Sequence, residues 1–112
     1  MGKAENATLA ACKAWIIMHG GAVVRVQSGG RVINDAKYGA RFMRMAEPGT
    51  ADLIGVLRGV PIAIEVKTPT GKVQDSQREW GEAWTRAGGV YIIARGVGDL
   101  YQMLAWPEKE RT

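Results

Sequence analysis

Two acids and a lysine in the middle of the chain have types and spacing that suit ionic chemistry. The runs Ala51–Leu57 and Val60–Lys67 are typical of two strands joined by an Arg-Gly turn into a β-hairpin. That turn places Asp52 opposite Glu65, and directly opposed residues have Cβ atoms about 5 Å apart. Because strand side chains alternate between faces, Lys67 lies on the same face as Glu65. The hairpin therefore predicts a cluster of two carboxylates and one ammonium group.

The opposed carboxylates of Asp52 and Glu65 repel each other unless a positive charge lies between them. A hard divalent cation resolves this repulsion, and carboxylates are its natural ligands in a chain with one cysteine and one histidine. The alternative is a surface ion pair between Glu65 and Lys67, a common contact that contributes little. We favour a site, because the run Ile62–Val66 is more typical of a buried strand than of one that faces water.

Two predicted helices each direct one polar residue towards the hairpin. Helix Ala4–His19 carries Glu5 one turn ahead of an apolar stripe, and helix Asp75–Ala87 carries Gln77 at the start of its own stripe. Alternatively, an acid in a first turn simply favours the helix dipole, and a first-turn glutamine faces solvent. Each alternative explains one residue alone, whereas the two residues together favour a shared centre with the acid pair.

The net charge of +4 is concentrated in one glycine-rich segment. Residues 25–44 contain five basic residues and one acidic residue, and the rest of the chain is balanced. A local surplus of this kind indicates a polyanionic partner, although an ordinary solvated loop explains the charge equally well. The five basic residues are Arg25, Arg31, Lys37, Arg41 and Arg44.

The remaining pattern predicts one α/β domain over residues 1–112, with helices packed on a sheet. A strand at Ala22–Val26 follows the first helix, and the basic stretch after it is turn-rich with one strand near Arg41–Met45. A buried strand at Val90–Ala94 and a short helix at Asp99–Trp106 complete the chain. The sequence lacks an apolar run of roughly 20 residues and a signal-peptide pattern, so we expect an intracellular protein without a membrane span.

Three short motifs follow one another at the spacing of a hairpin and a helix. They are Gly49-Thr50-Ala51-Asp52, Glu65-Val66-Lys67 and Gln77-x-x-Trp80. The combination resembles the VRR-NUC family, a branch of the PD-(D/E)xK nuclease superfamily. The resemblance implies a restriction-endonuclease-like core, a central mixed sheet flanked by helices in the order α-β-β-β-α-β. The chain departs from the family at Ala51, where proline is frequent, and at Gln27, where many members have asparagine nearby.

The resemblance also implies a set of metal ligands. Asp52 and Glu65 match the metal-binding acids of the family. Glu5 is similar to a first-helix glutamate that completes the site, helped by the carbonyl of Val66. The implied cofactor is Mg²⁺ or Mn²⁺.

The remaining motif residues match groups that act on the substrate. Lys67 matches the lysine that positions the attacking water or stabilises the transition state, and Gln77 the glutamine that holds Lys67 or the water in place. The resemblance thus implies an endonuclease that hydrolyses DNA phosphodiesters, with the basic segment gripping backbone phosphates. A small domain leaves little protein for reading bases, so we expect selectivity for DNA structure. Stand-alone relatives resemble homodimers that cleave four-way (Holliday) junctions.

Two other classes of protein remain open at this point. One is a non-catalytic DNA-binding module on the same fold, and the other is a small structural protein whose acids are only paired. A flap or single-strand nuclease is the nearest enzymatic variant. Opposed carboxylates favour the enzyme, because a non-catalytic domain has no physical need for them.

Overall fold

The computed structural model describes residues 1–27, 30–37, 39–44 and 46–104. Its helices and strands, in chain order, are α1 (Lys3–Met18), β1 (Ala22–Arg25), β2 (Gly30–Asp35), β3 (Gly39–Arg44), β4 (Leu53–Leu57), β5 (Val60–Val66), α2 (Asp75–Arg86), β6 (Val90–Ala94) and α3 (Gly98–Leu104). Among these described helices, none is long and apolar enough to cross a membrane.

The main sheet has four strands in the order β1-β4-β5-β6. β4 pairs antiparallel with β1 and with β5, whereas β6 pairs parallel with β5. A parallel neighbour requires a crossover connection, and α2 provides it. The predicted mixed sheet flanked by helices is therefore confirmed, with α1, β1, β4, β5, α2 and β6 as the α-β-β-β-α-β core.

The β4–β5 hairpin has the predicted register, with Leu53 opposite Ile64 and Leu57 opposite Val60. The turn between the strands has φ of 52° at Arg58 and 78° at Gly59. Positive φ at both central residues is the signature of a type I′ turn, which fits the twist of the flanking strands. The tight turn fixes the register, so the residue before β4 comes level with the sixth residue of β5.

The hydrophobic core lies on one face of the sheet, between the strands and the helices α1 and α3. The apolar stripe predicted for α1 is buried, and so are the inward residues of α3. The residues from these helices are Leu9, Cys12, Ile16, Leu100 and Leu104. Burial raises the pKa of the Cys12 thiol to about 11, so this cysteine behaves as an apolar core residue.

The opposite face of the sheet packs against α2. The ring of Tyr91 on β6 lies directly against Gly81 of α2, where a side chain larger than hydrogen would overlap it. Trp80 and Trp84 stack on each other, and the Trp84 indole donates to the carbonyl of Val90 at 3.2 Å. Helical spacing predicted an inward stripe of Gln77, Trp80, Trp84 and Ala87. The first three are half-buried, but Ala87 is exposed, and the fully buried position of α2 is Gly81.

A second hairpin is inserted in the chain between β1 and β4. β2 and β3 pair antiparallel from Gly30 opposite Arg44 to Asp35 opposite Gly39, and they form a separate two-stranded sheet. The sequence predicted only one strand here, near Arg41–Met45, and Met45 lies outside the described residues. The sequences of β2 and β3 show no regular alternation of apolar and polar residues, so this stretch resembled a loop.

Candidate active site

Asp52 is fixed by a turn before it and by two strands beside it. In the turn from Glu47 to Thr50, the Thr50 N–H donates to the Glu47 carbonyl at 3.1 Å, and Gly49 has a φ of 84°. Pro48 at the second position of this turn and Gly49, with its positive φ, at the third position are typical of a type II turn. Beyond it, the Asp52 carbonyl accepts from the Val26 N–H, and its Oδ2 accepts from the Val66 N–H, both at 2.8 Å. These contacts hold a carboxylate that is only 7% exposed.

Glu65 lies on β5 beside Asp52 and is 4% exposed. Its Oε1 accepts from the Gln77 side-chain amide at 3.1 Å, while Oε2 is buried without a hydrogen-bond partner among the described residues. Burial raises the pKa of Glu65 to about 8, and the charge of Asp52 adds to the rise. In the metal-free protein at neutral pH, Glu65 therefore carries a proton, which relieves the repulsion between the two acids.

Gln77 connects α2 to the acid pair through both ends of its side-chain amide. Its Oε1 accepts from the Gln74 backbone N–H at 2.9 Å, at the start of the helix. Its Nε2 is then free to donate to Glu65. The sequence predicted that Gln77 faces the acid pair, and the family resemblance implied that it holds Lys67 or a water. In the structure, the amide nitrogen donates to Glu65, because the bond from the Gln74 N–H at the helix start fixes which end of the amide points inward.

Lys67 follows β5 directly and is half-buried. Its backbone N–H donates to the Ala94 carbonyl at 3.0 Å, which continues the pairing of β5 with β6. The lysine charge lowers the pKa of Glu65, so it opposes the effects of burial and of Asp52. The structure thus brings the lysine within electrostatic reach of the acids.

Tyr91 is a site neighbour that the sequence analysis missed. Its hydroxyl donates to the Gln77 carbonyl at 3.3 Å. Burial raises the pKa of Tyr91 to about 12, with further contributions from the charges of Glu65 and Asp52. Tyr91 pairs with Ala63, which shares a face with Glu65, but this register joins two parallel strands through α2 and no tight turn in the sequence sets it. The ring also lines a cavity of about 530 Å³ between α2 and β6, which contains none of the predicted site residues.

Glu5 is half-buried at the start of α1, and its Oε1 lies 3.4 Å from the Gly2 backbone N–H. Its charge contributes to the raised pKa of Glu65, so it is close enough to act electrostatically. In the described part of the chain, no three His, Cys, Asp or Glu side chains are grouped as a metal site. Ligation by Glu5 and by the Val66 carbonyl therefore stays a prediction.

The acid pair has the donor set that a hard divalent cation requires. Asp52 and Glu65 supply carboxylate oxygens, which Mg²⁺ and Mn²⁺ prefer. When Glu65 is ionised, its buried Oε2 has no donor among the described residues, so either a proton shared with Asp52 or a cation must compensate the charge. The residues present therefore fit such an ion.

The predicted basic residues lie on β1 and on the β2–β3 hairpin. Arg25 ends β1 and is exposed, as are Lys37 and Arg41. Arg31 and Arg44 occupy positions on β2 and β3. Because the hairpin leaves the sheet after β1 and returns before β4, it is joined to the body beside the Val26–Asp52 hydrogen bond. The structure thus joins the basic segment to the body through β1, whose following residue Val26 bonds to the Asp52 carbonyl, and contact with DNA stays a prediction.

Comparisons with known proteins agree with this architecture. The family model described as "VRR-NUC domain" matches residues 22–98. A solved structure titled "VRR_NUC domain" superposes with a TM-score of 0.65, covering 93% of this chain and 97% of that chain at 20% identity. A search of curated proteins finds no match.

We expect the stability of the metal-free protein to fall as the pH rises from about 4.5 to about 8. In this window the folded state holds a proton on Glu65 that the unfolded state has released. The slope contributed by Glu65 is at most about 1.4 kcal/mol per pH unit. Urea unfolding of the wild type and of Glu65→Gln, with chelator present, measures it.

The glutamine variant should lose this part of the pH dependence, because it cannot ionise. Glu79→Gln is the matched control, since Glu79 is an exposed glutamate on α2. Identical slopes for the wild type and Glu65→Gln would contradict the raised pKa.

Proposed function

We propose, since this chain belongs to the VRR-NUC domain family, that it is a metal-dependent endonuclease that hydrolyses phosphodiester bonds in branched DNA. The family is related to nucleases, and the observation that carries the finer proposal is the buried acid pair. Asp52 and Glu65 lie together, and one oxygen of Glu65 lacks a partner in the described structure. Once Glu65 is ionised, no donor in the described structure compensates this oxygen, and a divalent cation would do so.

In this proposal, Asp52 and Glu65 hold Mg²⁺ or Mn²⁺, with Glu5 and the Val66 carbonyl as further ligands. The bound ion supplies a water of lowered pKa and neutralises charge that develops on the phosphate. Glu65 must release its proton before it can serve as a ligand, because metal ligands act in their deprotonated form. The Val66 N–H and the Gln77 amide keep the two carboxylates in place before any ion arrives.

Two further side chains act on the substrate in this proposal. The ammonium group of Lys67 positions the attacking water or stabilises the negative charge of the transition state. Gln77 fixes the orientation of Glu65 through the hydrogen bond to Oε1, so its contribution is to geometry. Gln77 already contacts Glu65, and the charge of Lys67 already acts on the same carboxyl group.

The basic β2–β3 segment supports DNA as the substrate. Its net positive charge binds backbone phosphates without reading sequence. Since the hairpin is joined to the body beside Asp52, a duplex held by the hairpin would pass near the acids. We therefore infer selectivity for DNA structure, with four-way junctions as the preferred substrate and Mg²⁺ or Mn²⁺ as the cofactor.

A homodimer is part of the same proposal. A four-way junction has near two-fold symmetry, and two matched cuts need two active sites related by a C2 axis. In α3, Tyr101 and Met103 are about half exposed and available for an interface. Leu104, in contrast, is fully buried in the core of the protomer.

Asp52→Asn, Glu65→Gln and Lys67→Ala should each reduce cleavage by a factor of at least about 100, because each removes a metal ligand or a stabilising charge. DNA binding should persist in all three. Cleavage of labelled junctions with Mg²⁺ or Mn²⁺ measures the loss, and band shifts measure binding. Asp75→Asn is the matched control, since Asp75 is an exposed acid paired with Arg78.

The assay separates the proposed enzyme from a DNA-binding module. DNA binding without cleavage under every metal condition would favour the module. Wild-type activity that resists chelation would contradict the metal mechanism.

We expect cleavage to be faster on four-way junctions than on flaps or linear duplex, and the protein to sediment at about twice its 12.1 kDa chain mass. Both measurements use micromolar wild-type protein. A monomer that cuts junctions symmetrically would overturn the dimer. A monomer that only nicks flaps would change the substrate and leave the chemistry intact.

A further inference from the structure

The first turn of α2 is held by contacts from two other elements of the fold. From one side, Gly49 lies so close that a methyl group added to it would overlap the carbonyl of Ser76 and the backbone nitrogen of Gln77. From the other side, the Tyr91 hydroxyl donates to the Gln77 carbonyl at 3.3 Å. Both contacts act on the backbone of the residue whose side chain reaches Glu65.

We propose that Gly49 and Tyr91 are positioning residues for the hydrolysis, acting through Gln77. The turn that contains Gly49 leads directly to Asp52, so its contact with α2 sets the distance between the aspartate and the glutamine. Tyr91 sets the height of the same helix turn above β6. Together they determine where the Gln77 amide meets Glu65. This inference rests on the proposed function for its catalytic consequence, although the contacts are independent of it.

Tyr91→Phe tests the hydroxyl alone, because the ring packing against Gly81 remains. We expect kcat to fall about tenfold, the effect of one lost hydrogen bond, with KM for DNA unchanged. In a Gln77→Ala background the same change should alter kcat less than about twofold, since residues that act through one another are not additive. Thr85→Val is the control and should leave activity unchanged, because it removes a hydroxyl that donates to the Gly81 carbonyl of α2 at 2.8 Å, away from Gln77. An equal loss in both backgrounds would overturn the proposal.

Gly49→Ala tests the other contact, and Gly59→Ala corrects for backbone strain. Gly49 and Gly59 have nearly equal φ, 84° and 78°, but in the described part of the chain no atom lies within 4 Å of a methyl group placed at Gly59. The cost of a positive φ is therefore shared, and only Gly49→Ala pushes on α2. We expect the first variant to lose most cleavage and the second to keep it. Equal activities in two folded variants would overturn the role of Gly49.

A measurement without metal or DNA separates failure of this inference from failure of the proposed function. The Gln77 side-chain amide gives a pair of ¹H–¹⁵N resonances, assigned by their absence in Gln77→Ala. Tyr91→Phe and Gly49→Ala should shift this pair, whereas Thr85→Val and Gly59→Ala should not. If the wild type cleaves no DNA, the proposed function fails and these shifts still decide the positioning. Unshifted resonances in both test variants would contradict it.

Discussion

Two carboxylates withdrawn from water side by side impose the central constraint on this structure. Such a pair is costly unless a proton or a cation lies between the charges, because burial and like charge both disfavour ionisation. Asp52 and Glu65 are nevertheless fixed by a backbone N–H and a side-chain amide. The fold holds one oxygen of the pair without a partner in the described structure and raises the pKa of Glu65 to about 8. This arrangement is a poor way to stabilise a domain and a suitable way to bind a divalent ion.

The fold can tolerate the cost of the buried acid pair because the apolar core and the acids lie in different parts of the structure. The apolar core lies between the sheet and the helices α1 and α3, on the face opposite to α2. The acids lie at one end of the β4–β5 hairpin, and the type I′ turn that sets their register lies at the other end. The basic hairpin forms a separate two-stranded sheet, inserted in the chain between β1 and β4.

Local signals in the sequence were sufficient to predict the hairpin register and the stripe of α1. An Arg-Gly turn permits one tight pairing, and that pairing alone placed Asp52 level with Glu65. The contact of Tyr91 with Gln77 was not predictable in this way, because it joins a strand to a helix that depends on tertiary packing. The hydrogen bond from Gln77 to Glu65 also depends on the helix start at Gln74, which orients the amide. The pairing of β2 with β3 was not predicted, because their sequences lack the alternation of apolar and polar residues that is typical of a half-buried strand.

Titration calorimetry of Mn²⁺ binding tests the central claim most directly. Measured at pH 7 in two buffers of different ionisation enthalpy, it counts the protons released per ion bound. Because Glu65 holds a proton at this pH and must lose it to become a ligand, we predict release of about one proton. Glu65→Gln should bind far more weakly and release none. Binding without proton release, or equal binding by the glutamine variant, would contradict the account.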